Sequence, residues 1–287
     1  MTMPLTESPP HPGPELQAPY AVPAPAPHPA ATFLRHAALT FGRTARHSLR
    51  EPAWAFVFPA VLPLALVAII TQVFGVMINL PGYGTDQLVD FATPGLLFVA
   101  PMMGGGFAAG RLVTDFSTGY LDRLRLLPTS TVAALAGLLA FEAARAVPIA
   151  ALILVVGALL GAPLQSPGAV ALVLVLVALW SAAWNAIFLV AGLRTRSAEV
   201  TQALLPLFLP FMMTSSIWVP RTSMPGYIRE MAERNPLDLF TVAARPLLLD
   251  GHLDLGRLAV AAGVATAILA ALGWLAARQL TNLVTAD

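Results

Sequence analysis

Six predominantly apolar stretches, near 54–79, 91–113, 138–161, 168–192, 201–219 and 257–277, constrain what this chain can fold into more than any other feature. A bilayer core about 30 Å thick is crossed by roughly 20 helical residues, and each stretch reaches about that length. In lipid every backbone N–H and C=O needs a partner within its own segment or barrel, so apolar runs this long become helices. The expected fold is therefore all-α: a polytopic membrane protein with six transmembrane helices. Only 11% of residues are charged, against roughly 25% in an average soluble chain, which excludes a soluble enzyme. The 16 basic and 15 acidic side chains nearly cancel, so there is no electrostatic footprint for nucleic acid.

All 16 basic residues are Arg, and Lys and Cys are both absent. Without Lys the chain has neither a Walker A loop nor a Schiff-base amine. Without Cys it has no disulfide, thiolate metal site or thiol nucleophile. The five histidines, at 11, 28, 36, 47 and 252, fall in no close ligand spacing, so neither a metal site nor a catalytic residue is expected. An intramembrane lipid-modifying enzyme, one alternative for such a chain, needs His, Asp or Glu clustered at an interface, and no such cluster is evident.

Residues 1–30 hold ten of the 26 prolines and no Arg, the composition of a disordered or polyproline-like tail. From 31 to 50 the pattern turns helical. Phe33, Leu34, Ala37, Ala38, Phe41, Ala45 and Leu49 share one half, while Arg35, His36, Arg43, Arg46, His47 and Arg50 share the other. That pattern predicts an interfacial amphipathic helix in the headgroup plane, in contact with membrane lipids. Residues 51–287 form the six-helix domain, with a segment 114–128 on one side and a long external segment 220–256 on the other. Ten Arg lie on the side of the termini and none in the first two opposite loops. The positive-inside rule then places both termini in the cytoplasm and the chain in the cell membrane. The last opposite loop, with Arg221, Arg229, Arg234 and Arg245, runs against the rule.

Apart from Arg111 and Arg257 at span ends, only Glu142 and Arg145 are charged within the spans, three apart on one helical face where they can neutralise each other. Intramembrane charges are the usual mark of a proton path, so a proton-coupled transporter is the other alternative, and the scarcity of further carboxylates weakens it. Gly104, Gly105, Gly106 and Gly110 permit close helix approach, Gly106 and Gly110 as a GxxxG pair. Trp180, Trp184, Asn185, Gln202, Thr214, Ser215, Ser216 and Trp218 are candidate passage residues. The external stretch is helical in period, with breaks expected at Pro236 and Pro246.

Three motifs then carry a resemblance. Asp115, Gly119, Leu124, Arg125 and Pro128 form D-x-x-x-G-x-x-x-x-L-R-x-x-P; Asp90, Phe91, Pro94, Gly95 and Leu96 form D-F-x-x-P-G-L; and Asn235, Pro236, Ala243, Arg245 and Leu247 follow the turn Met224, Pro225, Gly226, Tyr227. Their order and spacing resemble the permease subunits of type-2 ABC exporters, the group containing daunorubicin-resistance and mycobacterial lipid-export permeases. The resemblance covers about residues 31–280, with Tyr227 where Trp is common. It implies a transmembrane subunit moving a hydrophobic or amphiphilic compound, a drug or lipid, out of the cytoplasm or inner leaflet. It implies a separate ATP-binding cassette subunit holding ATP and Mg, with no cofactor in this chain, and a second permease copy or paralogue. Asp115, Gly119, Arg123, Arg125 and Pro128 would form the coupling element docking on that subunit. Asn235, Pro236 and Arg245 would organise one or two short external helices before the last span.

Overall fold

The computed structural model describes residues 29–105, 109–110, 113 and 131–284, and every regular element among them is helical. Helix α1 runs Pro29–Arg50, α2 Ala53–Val73, α3 Leu88–Met103, α4 Thr131–Leu159, α5 Pro167–Thr195 and α6 Ala198–Met213. Two shorter helices, α7 Gly226–Arg234 and α8 Pro236–Leu249, precede α9 at Leu255–Val284. Among the described residues four helices are long and apolar enough to cross a membrane: α2, α4, α5 and α9. The stretches expected near 91–113 and 201–219 give the shorter apolar helices α3 and α6. In α6 the cause is local, because Pro206 and Pro210 interrupt the ladder, a 3-10 turn covers Leu205–Leu207, and the helix ends at Met213. The run from Thr131 to Leu159 is one helix, with Pro148 inside it.

Capping explains several boundaries. Ser166 accepts the Ala169 N–H at 3.1 Å with Pro167 in the first turn of α5, and Ser197 accepts the Val200 N–H at 3.2 Å to start α6. Between them Arg196 takes the left-handed conformation, φ 49°, and returns its N–H to Gly192 O, closing α5 as a residue at that position does.

Every residue of α3 from Leu88 to Met102 is buried, as befits a helix that is apolar all round. It packs against α4, α5 and α8. Trp180 and Trp184, one turn apart on α5, donate their indole N–H groups to Phe98 O and Met102 O, both at 3.0 Å. Phe240 of α8 lies 5.0 Å from Trp180 and 5.3 Å from Phe98 between ring centroids, within the range where aromatic pairs attract. The outer helices differ: only 28% of the α2 span and 17% of the α9 span is buried, against 67% of α5. Their exposed faces carry Trp54, Val57, Val61, Ile69, Val260 and Trp274, apolar surface suited to lipid or to another apolar chain.

Helix α1 meets the bundle through a mostly small and hydroxyl-bearing side. Its bundle side presents Ala37, Thr40, Phe41, Thr44 and Ser48, with Thr44 and Ser48 buried, whereas Leu34, Leu39 and Leu49 are exposed. Hydroxyls can be buried here because Thr40 and Thr44 donate to the carbonyls of His36 and Thr40, at 3.2 and 2.9 Å. Phe41 meets Phe141 edge-on at 5.8 Å. A Cβ on Gly137 would collide with the Ala37 carbonyl oxygen, and backbone cannot yield as a side chain can. Gly137→Leu should therefore push α1 off α4. A Cys replacing the buried Thr44, protected in the otherwise native chain, should then react with a thiol reagent; continued protection would refute the close approach.

Candidate functional site

Two buried polar clusters stand out, one at each end of the bundle. The first lies where α4 passes α2, α3 and α5. Arg145 donates through Nε to Glu142 Oε2 at 2.9 Å and through Nη2 to the same oxygen, and both side chains are almost fully buried. Its Nη1 reaches Ala55 O in α2 at 2.7 Å. Four residues beyond Ala55 stands Pro59, which has no N–H to complete an α-helical ladder to that carbonyl. The start of α2, Ala53–Val57, is a π-helical turn. Across the pair, Gly104 leaves the space the guanidinium fills, since a Cβ there would overlap Arg145. From α5, Ser181 donates to Glu142 O at 2.9 Å, and Asn185 donates to Ser181 O at 2.8 Å. The i, i+3 spacing thus brings Glu142 and Arg145 together, and the tertiary fold adds partners from α2, α3 and α5.

The second cluster joins α8 to the end of α6 and the start of α3. Asn235 caps α8 by accepting the Leu237 N–H at 2.9 Å, with Pro236 in the first turn. Its amide donates to Phe211 O at 2.6 Å and Thr214 Oγ1 at 3.1 Å. Asp238, fully buried in that first turn, accepts the backbone N–H and, at 2.5 Å, the hydroxyl of Ser216 on one oxygen; Arg221 Nε donates to the other at 2.6 Å. Arg245, two turns further along α8, donates to Phe91 O at 3.1 Å and Ser216 O at 2.5 Å, with its guanidinium 3.6 Å from the Phe91 ring centroid. Burial pulls the Arg245 pKa down to about 9; Asp238 opposes that fall and Arg221 adds to it, so the group stays charged at neutral pH. Tyr83 packs on Phe91 and donates to Trp218 O at 2.8 Å. Burial raises its pKa and Arg245 opposes the rise, which keeps the phenol protonated as a donor. The anticipated break at Pro246 does not occur, because Pro246 sits inside α8.

Asn235, Pro236 and Arg245 therefore meet in one network, whose central Asp238, with Ser216 and Arg221, sequence reading passed over. A signal was present: an acidic residue three after an Asn N-cap, where it favours the helix N-terminus. Asp115, Gly119, Arg123, Arg125 and Pro128 lie outside the described residues, as do Gly106 and residues 1–28. Of the other candidates, Trp180, Trp184, Asn185, Ser215 and Ser216 are buried within the chain, whereas Gln202 is exposed on α6. Close approach is found at Gly104 and Gly105, the latter 2.5 Å from Phe188 by its would-be Cβ, whereas at Gly110 a Cβ would meet no atom of the described residues within 4 Å. Between α2 and the end of α6 runs an apolar groove of about 270 Å³ lined by Leu66, Ile70, Phe74, Met212, Met213 and Trp218. Among the described residues no group of His, Asp and Glu could hold a metal.

Residues 38–249 match the family model described as ABC-2 type transporter. The chain is also 30% identical over 211 residues to a daunorubicin resistance ABC transporter permease protein of Streptomyces coeruleorubidus, an alignment spanning 71% of this chain and 73% of that protein.

Proposed function

This chain belongs to the ABC-2 type transporter family, and from that premise we propose that it is the transmembrane subunit of an ATP-driven exporter of hydrophobic or amphiphilic compounds. The family is one of transport permeases, so the chain is not itself an enzyme. The match over residues 38–249 is the observation that carries the reading. In it, α3 and α6 complete six crossings, α1 lies in the headgroup plane, and both termini face the cytoplasm. A separate ATP-binding subunit, holding ATP and Mg, docks on residues 114–128, and a second permease, a copy or a paralogue, completes the path. The lack of Lys agrees with an engine on another polypeptide. An amphiphilic cargo agrees with the apolar groove, with the mutual pairing of the buried charges Glu142 and Arg145, and with the resistance named for the Streptomyces protein.

Affinity purification of the tagged chain from its native membrane tests the engine: an ATPase subunit should come with it, and its consistent absence would sink the reading. Gly119→Leu and Arg125→Lys should then weaken co-purification or uncouple hydrolysis from export, since Lys keeps the charge but loses the planar fork of Arg. Full binding and transport in both variants would return 114–128 to a lipid-facing loop. Orientation is tested separately, on a background free of native Cys. A Cys at exposed Asp86 should react with an impermeant reagent in intact cells, and one at exposed Thr195 should not.

A further inference from the structure

A buried ion pair in a membrane bundle is costly to hold, and an apolar pair would pack the same space at less cost. What apolar side chains could not supply is the third bond, from Arg145 Nη1 to Ala55 O. That bond falls five residues after α1 ends at Arg50, on the π-helical turn with which α2 begins. Glu142 fixes the guanidinium by taking both Nε and Nη2 on Oε2, which leaves Nη1 aimed at α2. On the same helix, Gly137 two turns earlier admits the Ala37 backbone of α1, and Phe141 one turn earlier meets Phe41. Helix α4 therefore grips the α1–α2 elbow on both arms, once by backbone contact and once by a charged side chain.

We propose that Arg145 is a positioning residue that pins the α1–α2 elbow to α4, so that α1, the start of α2 and α4 move as one body during transport. Glu142 acts through Arg145 by holding its rotamer, and Gly104 leaves the room in which the guanidinium sits. Proton relay is not part of this role: the carboxylate is occupied by the guanidinium and the pair is sealed among four helices. The consequence for transport rests on the exporter reading above, but the elbow geometry does not.

The test uses the full chain in lipid nanodiscs, with Cys introduced at exposed Leu49 in α1 and exposed Ile69 in α2, spin-labelled, diluted with unlabelled chain and read by double electron–electron resonance. Wild type should give one narrow distance. Glu142→Leu/Arg145→Met removes both charges and the donor; its distribution should broaden about twofold, and ATP-dependent transport by the assembled complex should fall about tenfold. Glu142→Gln/Arg145→Lys also abolishes the ion pair but keeps an amine donor on a stem long enough to approach Ala55 O, and should recover much of both; a merely structural ion pair predicts no such recovery. A narrow distance in the leucine–methionine variant, or no recovery in the glutamine–lysine variant, overturns the proposal. Should neither variant reach the membrane, wild type decides: a broad distance in the chain alone, or one that changes when nucleotide binds the complex, refutes the single body. Narrow distances with no ATP-dependent transport in wild type would count against the exporter reading and leave the pin standing.

Discussion

Asp238→Ala is expected to unfold the end of the bundle where α8 meets α3 and α6. The carboxylate is fully buried and takes the Ser216 backbone N–H, the Ser216 hydroxyl and the Arg221 guanidinium. Removing it strands two donors and a cation, and losing one partner of a buried ion pair costs about 3–5 kcal/mol. The effect should travel, because Ser216 O also receives Arg245, whose other bond holds Phe91 at the start of α3. Asp238→Asn retains an acceptor for Ser216 but turns an amide toward Arg221, so its cost should be nearer the ~1–3 kcal/mol of one unsatisfied buried group. Thermal scans in detergent should show the order wild type, Asn, Ala, with a fall of roughly 10 °C for Ala. An Ala variant melting with wild type would show that the network does not hold the helices.

Gly104→Val is the second large effect. A Cβ at Gly104 would overlap the end of Arg145. The tip of a long side chain can usually swing aside, but here it is held by Glu142 and by Ala55 O. Either α3 shifts, at the ~1–3 kcal/mol typical of overpacking, or the guanidinium leaves and strands Glu142 at a higher cost. Gly110→Ala is the matched control, since a Cβ there meets no atom of the described residues within 4 Å. Size-exclusion profiles of tagged protein should show Gly104→Val aggregated or absent and Gly110→Ala unchanged. Equal yields would mean that the close approach of α3 to Arg145 is not required.

What the sequence made legible was whatever rests on local periodicity. Apolar runs of membrane length gave α2, α4, α5 and α9, and an Asn-Pro dipeptide marked the cap between α7 and α8. Spacing alone put Glu142 beside Arg145. Long-range partners were hidden, because nothing near Ala55 announces that its carbonyl meets a side chain 90 residues away. The split of α1 was hidden for a related reason: hydropathy cannot tell that Thr44 and Ser48 turn inward while Leu34 and Leu49 turn out. The end of α6 was misjudged because Ile217 and Trp218 extend the apolar composition past a backbone that has already left the helix at Met213. The glycines of the second stretch showed that close approach was possible, not which of them used it.

The two indoles of α5 index one helix against another. Donors four residues apart, Trp180 and Trp184, meet carbonyls four residues apart, Phe98 and Met102, like two teeth in two notches. A slide of α3 along α5 by less than a full turn, about 5.4 Å, would empty both notches at once and leave two indole donors unpaired inside a packed aromatic column. Graded sliding between these helices is therefore penalised, at about 1–3 kcal/mol for each stranded donor. In the exporter reading α3 and α5 then move together as a single lever, and the give comes from the sparsely packed rim, α9 and the part of α2 beyond its pinned start.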